Sequence, residues 1–539
     1  MHNHFCSLKK IRIPSLWLLI GISLLLIAHS KALASQIVFG LDTTPDRLIP
    51  IKIKNPQSFP VSMQIFEGLF DLNEQGKIIP KLIKKWDTED FMTWTFQVRK
   101  GVYFHKSFIF RNETREVKAE DVLYSLTRFC SADSYNAFLL VDTVKGAAEF
   151  NQGKVERVSG FKVIDDYTLQ VNLIRPAPFF INNLSTALMA VYPKEADQEE
   201  FTDNIGLSIA VGTGPYMLES RTETEIVLIK NKNYWDKKNE PQLDRIIFRV
   251  IKNDQARFVG LQRGTIDLLV LPNSLFPSVF KRDGKLRDYI SKKYQIKTAA
   301  TYNTHFIGIN NKIITDKNLR QAIFWATNRD EIIETLLYGF ADKTGGTVPP
   351  RMNGYNPPFK KELFDSEKAK TYLNKSSYKG EPLELLVHDI GNSEQVAQIF
   401  QAQMANIGIQ IVLKKMDFNS VINSMVKGEA ELFSMFFEYV FSSPEPILIN
   451  LYSSSKIPVP NFFHFINPSV DSMLESLHFI RDRQESVSYC SQIEGKVMEE
   501  APAIFLYRQK YVILYPNNMI GLEVSGNNHY FLEKIKIQE

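Results

Sequence analysis

The chain has 539 residues, of which 44% are hydrophobic and 23% charged, and its formal net charge is +4. This length exceeds what one hydrophobic core can organise and predicts two or three domains, while the composition excludes wholesale disorder. The sequence lacks the clustered excess of Lys and Arg that is typical of nucleic-acid-binding proteins.

The first 34 residues have the pattern of a secretory signal peptide. Three basic residues precede an apolar run over residues 16–28, and the small residues of ALAS follow at 32–35. The run is shorter than the roughly 20 residues that a membrane-spanning helix needs. We therefore expect cleavage before Ser35, with an uncleaved N-terminal anchor as the alternative. The segment carries four bases and no acid, so the remaining chain is formally neutral.

The stretch TWTFQVRKGVYFH begins at Thr93 and ends at His105. Apolar and polar residues alternate over 93–98, which predicts a half-buried strand. A turn at Lys100 and Gly101 precedes a second alternating segment, which predicts another short strand ending at His105. A general base needs partners within hydrogen-bond reach, and the neighbouring sequence offers none. We therefore expect His105 to be a structural or surface residue.

Further along, apolar residues recur at spacings of three and four over 119–129 and predict a helix. Strand patterns return over 224–231, 243–251 and 265–271. From Leu319 onward the spacing predicts two consecutive helices, with Gly339 as a stop. Interleaved strands and helices of this kind indicate an α/β protein of several lobes.

The order of these segments resembles that of a known family. IPKLIKKWDTEDFMTWTFQVRKGVYFH, followed by REVKAEDVLYSLTRF, is similar to the signature region of the family 5 extracellular solute-binding proteins. Other segments match in the same order, from EGLF at Glu67 through GTGPY at Gly212 to EEAPAIFLY at Glu499. The insertion between His105 and Arg115 is longer than usual for the family. The resemblance covers almost the whole chain after the signal segment.

The resemblance implies a two-lobed α/β fold of the periplasmic-binding-protein type, class II-like and enlarged by an extra α/β subdomain. Two crossing segments, near 299–310 and 505–514, are expected to form the hinge. Cys130 and Cys490 then fall in different lobes, and we expect reduced thiols because a disulfide between them would pin the cleft. The expected division of the chain is a signal peptide at 1–34, lobe I at 35–75 with 206–300 and 510–539, an extra subdomain of lobe I at 76–205, and lobe II at 301–509.

The implied function is that of the substrate-binding component of an ABC importer. Such a protein captures a small ligand between its lobes and delivers it to permease subunits in the inner membrane. A peptide or peptide-like ligand is expected, and a cell-wall fragment, a metal chelate or a sensor role are the alternatives. We expect a periplasmic monomer that is not an enzyme, with no cofactor, no metal site and no nucleic-acid partner.

In the peptide-binding relatives, an aspartate pairs with the amino group of the ligand and an aromatic residue three positions earlier packs nearby. Aligning EYVFSSPEP on that motif places Ser442 at the aspartate position and Tyr439 at the aromatic one. A serine cannot form the charge-assisted bond that an aspartate forms with an ammonium group. Either Glu445 or Glu438 supplies the missing carboxylate, or the ligand has no free α-amino group. We slightly favour the second hypothesis.

Other candidate ligand-binding residues follow from the expected crossing segments alone. Tyr302, Asn303 and His305 lie on the first segment, and Tyr507 and Arg508 lie on the return segment. An arginine there is suited to receive a carboxylate through two parallel hydrogen bonds. The alternative for each of these residues is an ordinary role in the hinge or on the surface.

A serine acyl-transferase is the remote alternative. Fragments of its signature occur as Ser453-x-x-Lys456, as Ser376-x-x-Lys379 and as KTG at 343–345. In penicillin-recognising enzymes the Ser-x-x-Lys motif precedes Lys-Thr-Gly, whereas SSSK at 453–456 follows KTG here. The histidines of the mature chain also lack the spacing of metal ligands. The sequence therefore does not favour an enzyme.

Overall fold

The computed structural model describes residues 35–53, 58–73, 77–135, 137–186, 189–201, 203–350, 352–359, 362–438, 442–526 and 528–538. The predicted signal peptide and Tyr439 lie outside these residues. No helix within the described ranges is both long enough and apolar enough to cross a membrane.

The strands of the described residues are named in chain order. They are β1 (Gln36–Leu41), β2 (Phe70–Leu72), β3 (Ile78–Pro80), β4 (Ile83–Asp87), β5 (Thr93–Val98), β6 (Phe161–Asp165), β7 (Thr168–Asn172), β8 (Tyr216–Arg221), β9 (Glu225–Lys230), β10 (Arg245–Val250), β11 (Leu268–Val270), β12 (Tyr294–Ala300), β13 (Asn303–Ile309), β14 (Ala341–Lys343), β15 (Leu383–His388), β16 (Ile411–Met416), β17 (Leu432–Glu438), β18 (Ala503–Pro516), β19 (Met519–Ile520) and β20 (Lys536–Ile537).

The α-helices of the same residues are named in the same way. They are α1 (Phe59–Ile65), α2 (Ala119–Phe129), α3 (Ala147–Asn151), α4 (Phe180–Leu184), α5 (Asp254–Gln262), α6 (Phe276–Val279), α7 (Asp288–Ser291), α8 (Lys317–Ala326), α9 (Arg329–Leu337), α10 (Ser366–Lys375), α11 (Ser393–Ala405), α12 (Phe418–Lys427), α13 (Pro444–Tyr452), α14 (Pro468–Ser476) and α15 (Arg483–Glu500).

A long mixed sheet runs through the molecule in the order β16-β15-β17-β13-β18-β11-β1-β10-β9-β8, and β12 and β14 also pair with β18. Strand β1 lies parallel to β10 and β11, and β15 lies parallel to β16 and β17. The first part of β18 pairs with β13 and its last part with β12. Strand β18 therefore joins the two halves of the sheet.

The apolar residues form separate cores on either side of this junction. One cluster draws mainly on residues 37–268 and 513–535, with a smaller cluster around residues 258–290 beside it. A second large cluster draws on residues 306–507. We call the part built on the first large cluster and the smaller cluster beside it lobe I, and the part built on residues 306–507 lobe II. The prediction of an α/β protein with several cores is confirmed.

The TWTFQV segment forms strand β5, with Trp94, Phe96 and Val98 buried as the alternation predicts. It belongs to a four-stranded sheet of order β4-β5-β7-β6, against which α2 packs. The second predicted strand is wrong, because Tyr103 makes only an isolated bridge to Glu116.

His105 is buried and holds the turn at residues 212–214. Its Nε2–H donates to the carbonyl oxygen of Gly214 at 2.9 Å, and its Nδ1 accepts the amide of Gly212 at 3.4 Å. Both ring nitrogens are therefore occupied by backbone groups. The TWTFQVRKGVYFH stretch is scaffold, as expected.

The two helices predicted from Leu319 are α8 and α9. Asp316 caps the first by accepting the amide of Asn318 at 2.8 Å, and Asn328 caps the second by accepting the amide of Glu331 at 3.2 Å. Helix α9 ends at Leu337, and Gly339 follows with a φ of 81°. A left-handed residue of this kind stops a helix, as the sequence predicts.

Cys130 and Cys490 are both buried and free. The first packs in the core of lobe I and the second in the core of lobe II. This placement agrees with the expected reduced thiols in separate lobes.

Candidate functional site

The cleft between the lobes lies where parallel strands end. Strand β1 of lobe I ends at Leu41, and Asp42 follows it directly. Strand β15 of lobe II ends at His388, and a loop containing Asn392 leads from it to α11. Open parallel sheets commonly bind ligands outside the carboxyl ends of their strands. The topology thus brings loops from both lobes to one place.

Two adjoining cavities fill this region, with volumes of about 260 Å³ and about 530 Å³. The smaller lies mostly within lobe II, while the larger reaches across to β1 of lobe I. They share the lining residues Asn303, Ile390, Phe436, Gln509 and Tyr511. Because they share these walls, the two cavities are parts of one cleft. Their combined volume is in the range of small-molecule sites.

Several polar atoms in this wall have no hydrogen-bond partner among the described residues. They are the Oδ1 atoms of Asp42 and Asn303, Nδ2 of Asn392 and Oη of Tyr507. The amide of Asn392 faces the hydroxyl of Tyr507 closely enough to lower its pKa against the effect of burial, although neither Nδ2 of Asn392 nor Oη of Tyr507 forms a hydrogen bond of standard geometry among the described residues. Leaving a buried polar group unsatisfied costs about 1–3 kcal/mol. A bound ligand or ordered water is the usual way in which such groups are satisfied.

The structure brings three of the predicted residues together in the smaller cavity. Asn303, His305 and Tyr507 all line it. The rings of His305 and Tyr507 stack with centroids 4.7 Å apart and planes inclined by 21°. Burial, assisted by the nearby His388, lowers the pKa of His305 to about 3, so the imidazole is neutral at neutral pH. Burial also raises the pKa of Tyr507, so its hydroxyl keeps its proton.

Two predicted residues of the crossing segments lie away from both cavities. The guanidinium group of Arg508 donates through Nη2 to the carbonyl oxygens of residues 346–348, at 2.8–3.1 Å. It fixes this loop of lobe II, and this placement does not support the expectation that Arg508 receives a ligand carboxylate. Tyr302 packs close to Gly526, where an added Cβ would lie 3.0 Å from the ring. Burial raises the pKa of Tyr302 to about 12.

Ser442 is buried at the contact between the lobes and does not line either cavity. Its Oγ lies 2.9 Å from Oγ of Ser185, and it accepts a hydrogen bond from Nδ2 of Asn182 at 3.2 Å. Both partners belong to α4 of lobe I or follow it directly. The position at which the resemblance leads one to expect a ligand-binding aspartate thus contributes to the contact between the lobes.

Glu445 is fully buried in lobe II, and its carboxylate already has partners. It pairs with the guanidinium group of Arg483 and accepts hydrogen bonds from Ser443 and from Ser486, the latter at 2.6 Å. This placement does not support the hypothesis that Glu445 binds the amino group of the ligand. Tyr439 and the side chain of Glu438 lie outside the described residues.

The acyl-transferase fragments do not form a catalytic arrangement. Lys456 pairs with Asp142 of lobe I at 2.6 Å, while Oγ of Ser453 lies 2.8 Å from Oγ of Ser455. The hydroxyl of Ser376 donates to the carbonyl oxygen of Leu373. Neither serine hydroxyl is hydrogen-bonded to the side chain of the lysine of its own motif among the described residues.

The pairing of Lys456 with Asp142 is one of several contacts between the lobes. Arg175 lies 3.6 Å from Glu475, and the ring of Phe179 contacts that of His478 with centroids 5.9 Å apart. Together with Ser442, these residues join the part of lobe I around α4 to lobe II.

Sequence reasoning missed Asp42, His388 and Asn392, which line the cleft. All three lie at or just after the end of a parallel strand. A prediction of strand direction would have found them by the rule for parallel sheets. His388 accepts the amide of Ile390 on Nδ1 at 3.2 Å, which leaves its ring proton on Nε2. Burial lowers its pKa, so the ring is neutral at neutral pH.

The described residues contain no group of three or more His, Cys, Asp or Glu side chains arranged to hold a metal ion. The side-chain donors and acceptors of the cleft are amides, hydroxyls, imidazoles and one carboxylate, together with the cations Arg257 and Lys510, which pair with Asp254 and Asp342 outside it. Such a set is suited to bind an organic molecule through hydrogen bonds.

The chain is similar to several known proteins. The dipeptide-binding protein of Escherichia coli K12 is 25% identical over 99% of both chains. Heme-binding protein A of Haemophilus influenzae is 25% identical and covers 82% of this chain and 81% of its own. The periplasmic binding protein DppA of Helicobacter pylori, solved with the peptide STSA, is 23% identical with a TM-score of 0.74, over 94% of this chain and 99% of its own.

The likeness to the solved structure supports the two-lobed fold that the resemblance implied. The model of the bacterial extracellular solute-binding proteins, family 5, matches residues 77–458, which is well over half of the chain. The chain therefore belongs to the family 5 bacterial extracellular solute-binding proteins.

Proposed function

We propose that this protein captures a small ligand, a peptide or peptide-like molecule, between its lobes and delivers it to the permease of an ABC importer. The observation that carries the proposal is the cleft between the lobes, whose wall holds four polar atoms without a partner among the described residues. Their unsatisfied hydrogen bonds favour a ligand that offers both donors and acceptors. Relatives named for binding a dipeptide and for binding heme support a ligand of this size.

The mechanism of capture is a shift in the population of open and closed forms. A ligand that contacts both lobes favours the closed form by the contacts it makes only there. The break between β12 and β13, together with β18 beside it, supplies the hinge. The lobe boundaries predicted from the sequence are part of this proposal.

The protein acts in the periplasm and leaves its ligand unchanged. The N-terminal segment has the composition of a signal peptide, and family membership supports export and a partnership with permease subunits in the inner membrane. The occupied partners of Ser453 and Lys456 support binding without catalysis.

Identifying the bound molecule tests this proposal. Protein purified from its native host under mild conditions is denatured, and the released compounds are analysed by mass spectrometry. We expect one or a few small compounds in near-stoichiometric amount, which raise the thermal unfolding temperature when added back. The proposal fails if the compounds added back do not bind, or if the protein chemically converts them.

A further inference from the structure

The larger cavity contains one carboxylate that has neither an ion-pair nor a hydrogen-bond partner among the described residues. Asp42 follows β1 and lines this cavity, and its Oδ1 is buried without a partner. Apolar side chains, including Phe39 and Tyr530, line the same cavity. A carboxylate in such surroundings is costly unless a cation or several donors accompany it.

The basic residues of the cavity do not fill this role. Arg257 pairs with Asp254 at 2.6 Å and donates to the carbonyl oxygen of Ile251 at 2.6 Å. Lys510 pairs with Asp342 at 2.7 Å. Both cations are thus engaged by groups outside the cavity. The negative charge of Asp42 is therefore available to a ligand that binds in the cleft.

A second acceptor lines the same cavity. Oδ1 of Asn303 is buried without a partner among the described residues, and Asn303 is shared by both cavities. A carboxylate and an amide oxygen together suit a group that carries several N–H donors and a positive charge. A primary ammonium group has three donors and no acceptor.

The smaller cavity has the opposite character. Nδ2 of Asn392 is a donor without a partner in the described part of the chain, and the Tyr507 hydroxyl beside it both donates and accepts. The His388 ring proton on Nε2 adds a third donor to this wall. The cleft therefore runs from acceptors at the lobe I end to donors at the lobe II end.

We propose that Asp42 and Asn303 form a subsite for an ammonium group of the ligand, and that Asn392 and Tyr507 receive a carbonyl or carboxylate oxygen from its other part. The carboxylate that Ser442 does not provide from lobe II is supplied from lobe I. The ligand thus carries a free amino group, contrary to the hypothesis that the sequence slightly favoured. This inference rests on the proposed function and specifies the chemistry of its ligand.

Matched peptides and matched variants test this subsite. The probes are trialanine, alanyl-leucyl-alanine and alanyl-phenylalanyl-alanine, each with a free and with an acetylated amino terminus. Dissociation constants are measured by calorimetry for the wild type, for Asp42→Asn and for Asn303→Asp. Asp203→Asn, which removes an exposed carboxylate away from the cleft, is the control. Thermal unfolding of each variant without ligand establishes that it is folded.

We expect the wild type to bind at least one free-amino peptide ten or more times more tightly than its acetylated counterpart. Asp42→Asn should remove most of this preference by weakening only the free-amino form. Asn303→Asp should keep or increase the preference, because it adds a second carboxylate, and the control should leave it unchanged. Charge-assisted hydrogen bonds are the stronger class, so their loss is measurable.

The outcomes separate the subsite from the proposed function. If the wild type binds both forms equally, or if Asp42→Asn keeps the preference, the subsite is wrong while capture of peptides stands. If Asp42→Asn weakens the affinity for the free-amino and the acetylated forms equally, Asp42 has a structural role and the subsite is also wrong. If the wild type binds no peptide of the set, capture of short peptides is wrong and the subsite falls with it.

Discussion

The hydroxyl oxygens of Ser185 and Ser442 lie 2.9 Å apart across the boundary between the two lobes. Asn182 adds a second contact by donating from Nδ2 to Oγ of Ser442 at 3.2 Å. The family resemblance aligns Ser442 with a position where an aspartate is expected to pair with the ligand. Here Ser442 contacts lobe I directly, and we expect this contact to favour the closed form.

Replacing Ser442 with alanine should therefore weaken closure. The variant removes the contacts of the Ser442 hydroxyl with Ser185 and Asn182. Both partners keep another hydrogen bond, Ser185 to the carbonyl oxygen of Asn182 and Asn182 to the carbonyl oxygen of Ser442, so we expect a net cost of about 1 kcal/mol. Because ligand binding is coupled to closure, affinity for the released ligand should fall about fivefold. Calorimetry measures the affinity, and small-angle scattering measures the closed population. Ser469→Ala, at an exposed position of α14, is the control. Unchanged affinity and scattering would show that this contact does not contribute to closure.

The ion pair between Glu445 and Arg483 should stabilise lobe II without affecting the ligand. Arg483→Met leaves a fully buried carboxylate without its cation, which typically costs 3–5 kcal/mol. The free energy of unfolding, measured in urea, should fall by about that amount. The double variant Arg483→Met with Glu445→Gln should recover much of the loss, because it no longer buries a charge.

Ligand affinity of this double variant separates the two roles of Glu445. It should equal that of the wild type, since neither residue lines the cleft. A double variant that folds with native stability but no longer binds the ligand would restore Glu445 as a ligand-binding residue.

The hydroxyl of Tyr507 should serve the ligand and not the fold. Its Oη is buried in the wall of the cleft without a partner among the described residues, so Tyr507→Phe removes a polar atom that the empty protein does not satisfy. We expect equal or slightly higher stability without ligand and an affinity about tenfold lower. Thermal unfolding and calorimetry measure the two effects. Tyr515→Phe, on the same strand but away from both cavities, is the matched control.

Local periodicity predicted the elements that depend on local sequence. Strand β5 and helices α8 and α9 follow from apolar spacing, because one face of each is buried in a core. The site was harder to predict, since it depends on register. His305 lies opposite Tyr507 in the paired strands, so their rings share a face. Arg508 is the next residue and its side chain points to the other face, where it binds a loop.

Long-range pairing explains the remaining differences. Asp42 and Asn303 are far apart in the sequence and meet only because β1 and β13 both lie close to β18 in one sheet. The sequence around Glu445 gives no sign of its partner, and only the fold shows that its carboxylate pairs with Arg483. The resemblance predicted the fold and the family correctly. It gave less guidance on the ligand contacts, because the aligned motif has Ser442 where an aspartate is expected.

His105 should make the protein sensitive to acid. Burial lowers its pKa to about 4, against an ordinary value of 6.5 in the unfolded chain. The unfolded chain therefore binds a proton at His105 more readily than the folded chain. The contribution of neutral His105 to the free energy of unfolding is fully present above pH 6.5 and is lost as the pH falls toward 4. The contribution of this group over that window is about 3 kcal/mol.

His105→Gln isolates this contribution from those of the other buried histidines. Glutamine keeps an N–H group to donate to Gly214 but does not titrate. Between pH 7 and pH 4, the free energy of unfolding of the variant should therefore fall by about 3 kcal/mol less than that of the wild type. Urea unfolding at several pH values measures both curves, and Lys106→Gln controls for a change at an exposed neighbour in the same segment. Parallel curves for wild type and His105→Gln would mean that His105 accepts a proton inside the fold. Burial opposes this, and so does the Gly212 amide, which already donates to Nδ1.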